Sequence, residues 1–204
     1  MTVQRRALTC LTALTALVVA GCSAPDRTAA SNGLANRIGE LPGVREVNDS
    51  YIADGIESNE STDVLVFLEK GATANQACAA VATFVESFPD TDIAAEQSEL
   101  EVRDEYGDPT WSFTMTAEVS DAEGASERCV ESRQARAIPR AYAVRVYVEA
   151  VPDLSRPLVR VNFLGTEVRT PAAGLKLARE NVANFDEFEW QIFNICGDSL
   201  CPPR

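Results

Sequence analysis

Three segments of the sequence alternate strictly between apolar and polar residues: "TWSFTMTAEV", "AYAVRVYVEAV" and "PLVRVNFLG". The apolar positions are Trp111, Phe113, Met115, Ala117 and Val119, then Val144, Val146 and Val148, then Val159, Val161 and Phe163. Successive side chains of a strand point to opposite faces, so these segments predict strands with one buried face and one polar face. Arg145 and Arg160 fall on the polar face.

Between these strands lie segments with helical spacing or with continuous apolar character. "DVLVFLE" (63–69) predicts a central strand, and "TANQACAAVATFVESF" predicts a helix that ends at Pro89. Its apolar stripe holds Ala77, Cys78, Val81, Ala82, Val85 and Phe88. We also predict a short helix before Pro42-Gly43, a strand from Val44 to about Ile52, a strand over roughly 94–103, a helix over 122–137, a helix capped by Thr170 with Pro171 at its first position, and a closing strand in "EFEWQIFNI".

The order of these elements repeats. Each half reads helix, strand, strand, helix, strand, with "TWSFTMTAEV" added between the halves. We therefore predict an α+β fold, with an antiparallel or mixed sheet and helices packed on one face. The domain is expected to span 34–204, with related halves over about 34–120 and 121–204.

The start of the chain has the parts of an export signal. Arg5 and Arg6 precede an apolar run that is too short to cross a bilayer of ~30 Å, and the run closes on "VAGC" at Cys22. This segment resembles a bacterial lipoprotein signal with its lipobox, which implies cleavage after residue 21 and diacylglycerol on Cys22. An ordinary secretory signal is the alternative, and either the general or the twin-arginine pathway could export it. Residues 22–33 are small and polar, which predicts a flexible tether to a membrane-anchored, extracytoplasmic domain.

Composition excludes several classes of function. The formal net charge is -13 and there is no histidine. The negative charge disfavours nucleic acid as a partner. The lack of histidine removes the commonest general base near neutral pH and the commonest transition-metal ligand. We therefore expect no catalytic residues, no metal and no cofactor.

Four cysteines remain after Cys22: Cys78, Cys129, Cys196 and Cys201. An even number outside the cytoplasm predicts disulfides, for which three pairings are possible. We predict Cys78–Cys129 between two helices and Cys196–Cys201 around a C-terminal turn. A four-thiolate metal site is the rival interpretation, but the sequence has no CxxC spacing to support it.

The C-terminal "GDSL" looks like the nucleophile motif of a family of lipases and esterases. That family carries its serine near the start of an α/β fold, and an Asp and a His from the following chain complete the site. Ser199 lies close to the end of this sequence, and no histidine is present to accept its proton. We therefore expect "CGDSLC" to be a disulfide-closed turn rather than an esterase site.

Two further groups of residues are candidates for a site. Asp104, Glu105 and Asp108 crowd one turn, but they lack the spacing of a calcium loop, and a solvated hairpin is expected instead. Trp111 and Trp190 could stack on a sugar, but their strand positions favour the core.

The helix-to-strand link "ELPGVREV" and the element order resemble the small BON and ferredoxin-like modules, and also "LPGV" repeats of actinobacterial lipoproteins. This resemblance implies a fold and not an activity. The sequence thus favours a lipoprotein that binds or assembles an envelope protein or a wall component without catalysis. The alternatives are a carboxylate-dependent envelope enzyme and, less suited to a chain with no second lobe, a solute-binding lipoprotein.

Overall fold

The computed structural model describes residues 26–53, 60–104, 110–148, 156–164, 168, 170–196 and 199–200, with backbone alone from 194 onwards. The predicted signal segment 1–21, the lipidation site Cys22 and the cysteine Cys201 lie outside these residues.

Four helices and eight strands make up the described chain. In order they are α1 (Thr28–Gly39), β1 (Val44–Ala53), β2 (Glu60–Leu68), α2 (Ala74–Ser87), β3 (Glu99–Asp104), β4 (Thr110–Thr116), α3 (Ala122–Ser132), β5 (Ala141–Val148), β6 (Leu158–Leu164), α4 (Pro171–Asn181), β7 (Glu189–Cys196) and β8 (Ser199–Leu200).

All eight strands form one sheet in which every strand pairs with its neighbour in the sequence. Strands that follow each other without a helix pair antiparallel, as in β1–β2, β3–β4, β5–β6 and β7–β8. Strands separated by α2, α3 or α4 pair parallel. This is the expected rule, because only a long crossover can return the chain to the same end of the sheet. The predicted α+β class and mixed sheet are confirmed.

The repeat contains one strand more than we predicted. The first unit runs α1–β1–β2–α2–β3–β4 and the second runs α3–β5–β6–α4–β7–β8. The segment that we assigned between the halves is therefore β4, the last strand of the first unit. Its counterpart β8 has two residues, which is too short for alternation to reveal it in the sequence.

One face of the sheet carries the helices and the core. The apolar positions of the alternating strands are buried, among them Val102, Phe113, Val146, Val161 and Phe163. The helices lie over them: α2 contributes a stripe that includes Phe84, which the predicted stripe omitted, whereas Ala82 from that stripe is only half-buried. The predicted packing of the helices on one face is thus confirmed.

Local signals in the sequence account for where the helices begin. Thr73 accepts a hydrogen bond from the Gln76 N–H while the Gln76 side chain accepts one from the Thr73 N–H, which completes a capping box for α2. Asp121 caps α3, and Thr170 caps α4 with Pro171 at its first position, as predicted.

Several predicted boundaries differ from the structure. Strand β4 ends at Thr116, so the predicted strand positions Ala117 and Val119 lie beyond it, and α3 ends at Ser132, with a 3-10 turn over 133–137.

Helix α1 begins at Thr28, so residues 28–33 are helical rather than part of the tether. Its buried side includes Ser31, Leu34 and Ile38, and the serine among the apolar residues hides the helical period in the sequence. The Ser31 hydroxyl forms hydrogen bonds with the side chains of Asp49 and Thr62. The third strand is Glu99–Asp104 rather than 94–103, because residues 95–97 form a 3-10 turn.

Candidate functional site

The second face of the sheet carries no helix from the described part of the chain, and we call it the open face. Polar side chains alternate with the buried apolar ones along its strands. Its residues in the centre of the sheet are Glu99, Glu101 and Arg103 on β3, Thr110, Ser112 and Thr114 on β4, Arg145 and Tyr147 on β5, Arg160 on β6 and Gln191 on β7.

A trough runs along β4 on this face. Its floor consists of the short side chains of Thr110, Ser112 and Thr114, and the longer side chains of β3 and β5 line its two sides. The trough is open to solvent, and its volume is about 550 Å³. The trough exists because a strand with small residues lies between two strands with large ones.

A row of arginines crosses the sheet at one end of this trough. Arg103 and Arg145 are both paired with Ser112, one on each side, and Arg160 is the next partner of Arg145. Strands lie about 4.8 Å apart, so Arg103 and Arg145 flank the serine at about 5 Å on either side at the level of the backbone. This concentration of positive charge stands out in a chain with 31 acidic and 18 basic residues.

Aromatic rings hold two of these arginines in place. The Arg103 guanidinium carbon lies 4.6 Å from the centre of the Phe67 ring, and that of Arg160 lies 4.7 Å from the Tyr147 ring. Arg160 also donates from Nε to Oε1 of Gln191 at 3.0 Å. Arg145 is exposed, and it has no ion-pair partner within the described ranges.

Carboxylates lie at the other end of the trough. Glu101 is paired with Thr114, and Thr114 is paired with Tyr147. Glu99 lies two residues before Glu101 on the same strand and on the same face. The two carboxylates are thus neighbours along one strand. Paired acid–base chemistry requires two carboxylates that face each other across a cleft, and these two do not.

A buried ion pair lies on the helix-covered side of the sheet, at Asp104, the residue that follows Arg103 in β3. Arg133 donates from Nη2 to Oδ1 of Asp104 at 2.9 Å, and the two side chains are 6% and 5% exposed. Arg136 approaches Oδ2 of Asp104 at 3.2 Å. Burial lowers the pKa of Arg133, and the Asp104 charge opposes this shift. The same guanidinium lies 4.6 Å from the centre of the Trp111 ring.

This ion pair gives Asp104 a different role from the one predicted. We expected Asp104 in a solvated hairpin with Glu105 and Asp108, but its carboxylate is buried against the segment that follows α3. The sequence could not reveal this, because the partner Arg133 is distant in the chain. Glu105 and Asp108 lie outside the described residues.

Both tryptophans belong to the core side, as we predicted. Trp111 is 1% exposed. Trp190 is partly buried, stacks on Phe185 with ring centres 4.9 Å apart, and donates from Nε1 to the Phe185 carbonyl at 2.8 Å. Neither ring is available as a platform for a sugar on the open face.

The predicted disulfide Cys78–Cys129 is present and joins α2 to α3, with 5.7 Å between the Cα atoms. The second predicted pair, Cys196–Cys201, involves a residue outside the described ranges and stays a prediction. The backbone of Cys196 in β7 pairs with that of Ser199 in β8, which places the "GDSL" serine in a short hairpin.

The described residues contain no cluster of three or more acids or cysteines suited to a metal ion. Over the same ranges, no helix combines the length and the apolar character that a membrane span requires. Comparison with protein-family models, curated proteins and solved structures found no match to this chain.

The alternating sequence pattern predicts that Arg145 and Arg160 lie on the polar face of their strands, but it indicates no role for that face. It did not single out Arg103, Ser112 or Glu101. The strand carrying Arg103 and Glu101 was only poorly defined by its pattern. The available signal was the occurrence of arginine at polar strand positions in an acidic chain, but the pairing of β4 with β5 across a helix could not be read from the sequence.

Proposed function

We propose that this chain is a membrane-anchored, extracytoplasmic lipoprotein that acts by binding an envelope protein or wall component, without catalysis. The lipobox at Cys22 supports the anchor. The Cys78–Cys129 disulfide supports an oxidising compartment outside the cytoplasm, because such bonds are rare in the reducing cytosol.

The observation that carries the binding role is the trough on the open face with its row of arginines. A sheet face that only meets water needs no such row, and Arg145 beside Arg160 is a like-charge cross-strand pair that destabilises the sheet. Residues that lower the stability of the fold are expected at functional sites. Among the residues that the structure describes, the trough also lacks the facing carboxylates of an acid–base enzyme.

Anchoring is tested by cell fractionation of the full-length protein. Cys22→Ala should release the protein from the membrane fraction, because the lipid and not the acidic body holds it there. Cys10→Ala is the matched control, since Cys10 lies in the segment that is expected to be removed, and it should remain membrane-bound. Retention of the Cys22→Ala protein after a salt wash would refute the anchor.

Binding through the open face is tested with a photo-crosslinking amino acid placed singly in the full-length protein in cells. Thr114, on the trough floor, should give a discrete crosslinked product. Arg128, exposed on α3 at the helical side, is the matched position and should not give that product. Equal products from both positions, or a product from Arg128 alone, would remove the open face from the proposal.

A further inference from the structure

The charges around the trough are sorted along its length. Arg103 and Arg145 flank Ser112 at one end, and Glu101 lies beside Thr114, two residues further along β4. Two residues of a strand span about 7 Å. A ligand in the trough therefore meets positive charge at one point and negative charge about 7 Å away.

The arginine end has the chemistry of an oxyanion site. Arg103 and Arg145 both line the trough from the strands on either side of Ser112, and arginine donates to carboxylates in bidentate geometry. Arg103 is held by its stacking on Phe67, so little side-chain freedom remains to be lost on binding. An anion would also relieve the repulsion between Arg145 and Arg160, which are direct cross-strand partners.

The glutamate end restricts which anions fit. A polymer with anionic groups at every repeat would place one of them beside Glu101 and would be repelled there. A ligand with a cationic group at that distance from its anion would be attracted at both ends. Sugar stacking is disfavoured on this face, since Arg160 covers the Tyr147 ring and Trp111 is buried.

We infer that the trough binds a short extended peptide that has a free C-terminal carboxylate between Arg103 and Arg145 and a lysine-like ammonium group beside Glu101. The inference rests on the proposed binding function and specifies its ligand class. An extended peptide rises about 3.3 Å per residue. The cationic residue is therefore expected two positions before the C-terminal residue, and the peptide runs antiparallel to β4.

The test uses the full-length protein purified in detergent micelles and the tetrapeptide Ala-Lys-Ala-Ala, with affinity measured by titration calorimetry. The free-acid peptide should bind, and its C-terminal amide should bind about tenfold more weakly, because a charge-assisted contact to the arginines is lost. Replacing the lysine by glutamate should weaken binding at least as much. These comparisons use the unaltered protein, so they do not depend on any variant folding.

Substitutions in the protein then test which side chains contact the peptide. Arg145→Gln should weaken binding of the free acid more than binding of the amide, and should thus narrow the difference between the two peptides, while Arg103 retains part of it. Glu101→Gln should remove the preference for lysine over glutamate. Arg37→Gln, an exposed arginine on α1, is the matched control and should change neither.

The inference is overturned if acid and amide bind equally, if none of the peptides binds, or if Arg37→Gln weakens binding as much as Arg145→Gln. Such a result leaves the proposed function intact provided that the crosslinker at Thr114 still yields its product. Loss of that product as well would mean that the open face is not a binding surface at all.

Discussion

Gly43 and Arg140 occupy the same position in the two repeats and share a left-handed backbone conformation, with φ of 87° and 68°. Each follows a proline and immediately precedes the first strand of its unit. In both turns the N–H of the next residue donates to the carbonyl three residues before it, at 3.2 Å and 3.3 Å. The "LPGV" motif is thus one copy of a turn that the second unit builds as "IPRA".

A side chain at Gly43 should destabilise this turn. Gly43→Ala should lower the free energy of unfolding by about 1–2 kcal/mol, because alanine disfavours the left-handed conformation. A steric contact with α2 should add a further loss. The new Cβ would lie 2.9 Å from Cβ of Gln76 in α2. Gly71→Ala is the control, since Gly71 has φ of 88° but nothing within 4 Å. Urea denaturation should show a larger loss for Gly43→Ala, and equal losses would argue against the contact with α2.

A second glycine sets how closely α4 approaches the sheet. A Cβ at Gly174 would lie 2.5 Å from Cγ2 of Ile192 and 3.0 Å from Cε2 of Phe163. Gly174→Ala should therefore destabilise by about 1–3 kcal/mol, despite its better helix propensity. Gly33→Ala in α1 meets nothing within 4 Å and should stabilise by about 0.5–1 kcal/mol. The melting temperatures should move in opposite directions; a shift of the same sign in both variants would contradict the close approach.

The disulfide should stabilise the domain through the unfolded chain. Cys78 and Cys129 are separated by 51 residues, for which the chain-entropy estimate is about 4 kcal/mol. The Cys78→Ala, Cys129→Ala double variant should lose stability of that order in urea denaturation. Reducing agent should lower the stability of the unaltered protein by at least as much, whereas the double variant should lose only the contribution of the predicted Cys196–Cys201 bond. A double variant as sensitive to reductant as the unaltered protein would argue against a stabilising Cys78–Cys129 bond.

Local patterns accounted for much of the fold, because they report the environment of each residue along the chain. Alternation around Phe113 and Val146 fixed their faces, and Thr170 marked its helix. The site depends instead on pairing between distant strands. Ser112 lies between Arg103 and Arg145 only because β4 pairs with β3 on one side and with β5 on the other. No periodicity within one segment contains that register.

Removing one partner of the buried ion pair should lower the free energy of unfolding substantially. Arg133→Ala leaves Asp104 buried with Arg136 as its remaining ion-pair partner in the described chain, and the expected loss is about 3–5 kcal/mol. The double variant Asp104→Asn, Arg133→Met should recover most of it, because no unpaired buried charge remains and methionine refills the space near Trp111. Arg136 loses its partner as well, but its side chain is 34% exposed and water can solvate the charge.

The exposed pair Lys176–Glu180, at 3.8 Å, provides the control for this experiment. Lys176→Ala should cost less than about 1 kcal/mol, since exposed ion pairs contribute little. A double variant no more stable in denaturant than Arg133→Ala would show that packing, and not the unpaired charge, caused the loss.

Glu131 makes the stability of the domain depend on pH. Burial, followed by the nearby Glu187 charge, raises the pKa of Glu131 above its ordinary value of 4.5, although Asn184 donates to its Oε1 at 2.9 Å. The folded protein therefore takes up this proton more readily than the unfolded chain. The destabilising effect of the charge grows as pH rises through the interval between 4.5 and the raised folded value, and it is complete above that interval.

Glu131→Gln should remove this effect while its Oε1 still accepts from Asn184. The variant should melt at a higher temperature than the unaltered protein at pH 7, and the difference should shrink as pH falls below the ordinary value of 4.5, where both states bind the proton. Glu180→Gln, on the exposed side of α4, should give no comparable gain at pH 7. A gain for Glu131→Gln that is constant with pH would assign the effect to packing, because only an ionised carboxylate loses its penalty on protonation.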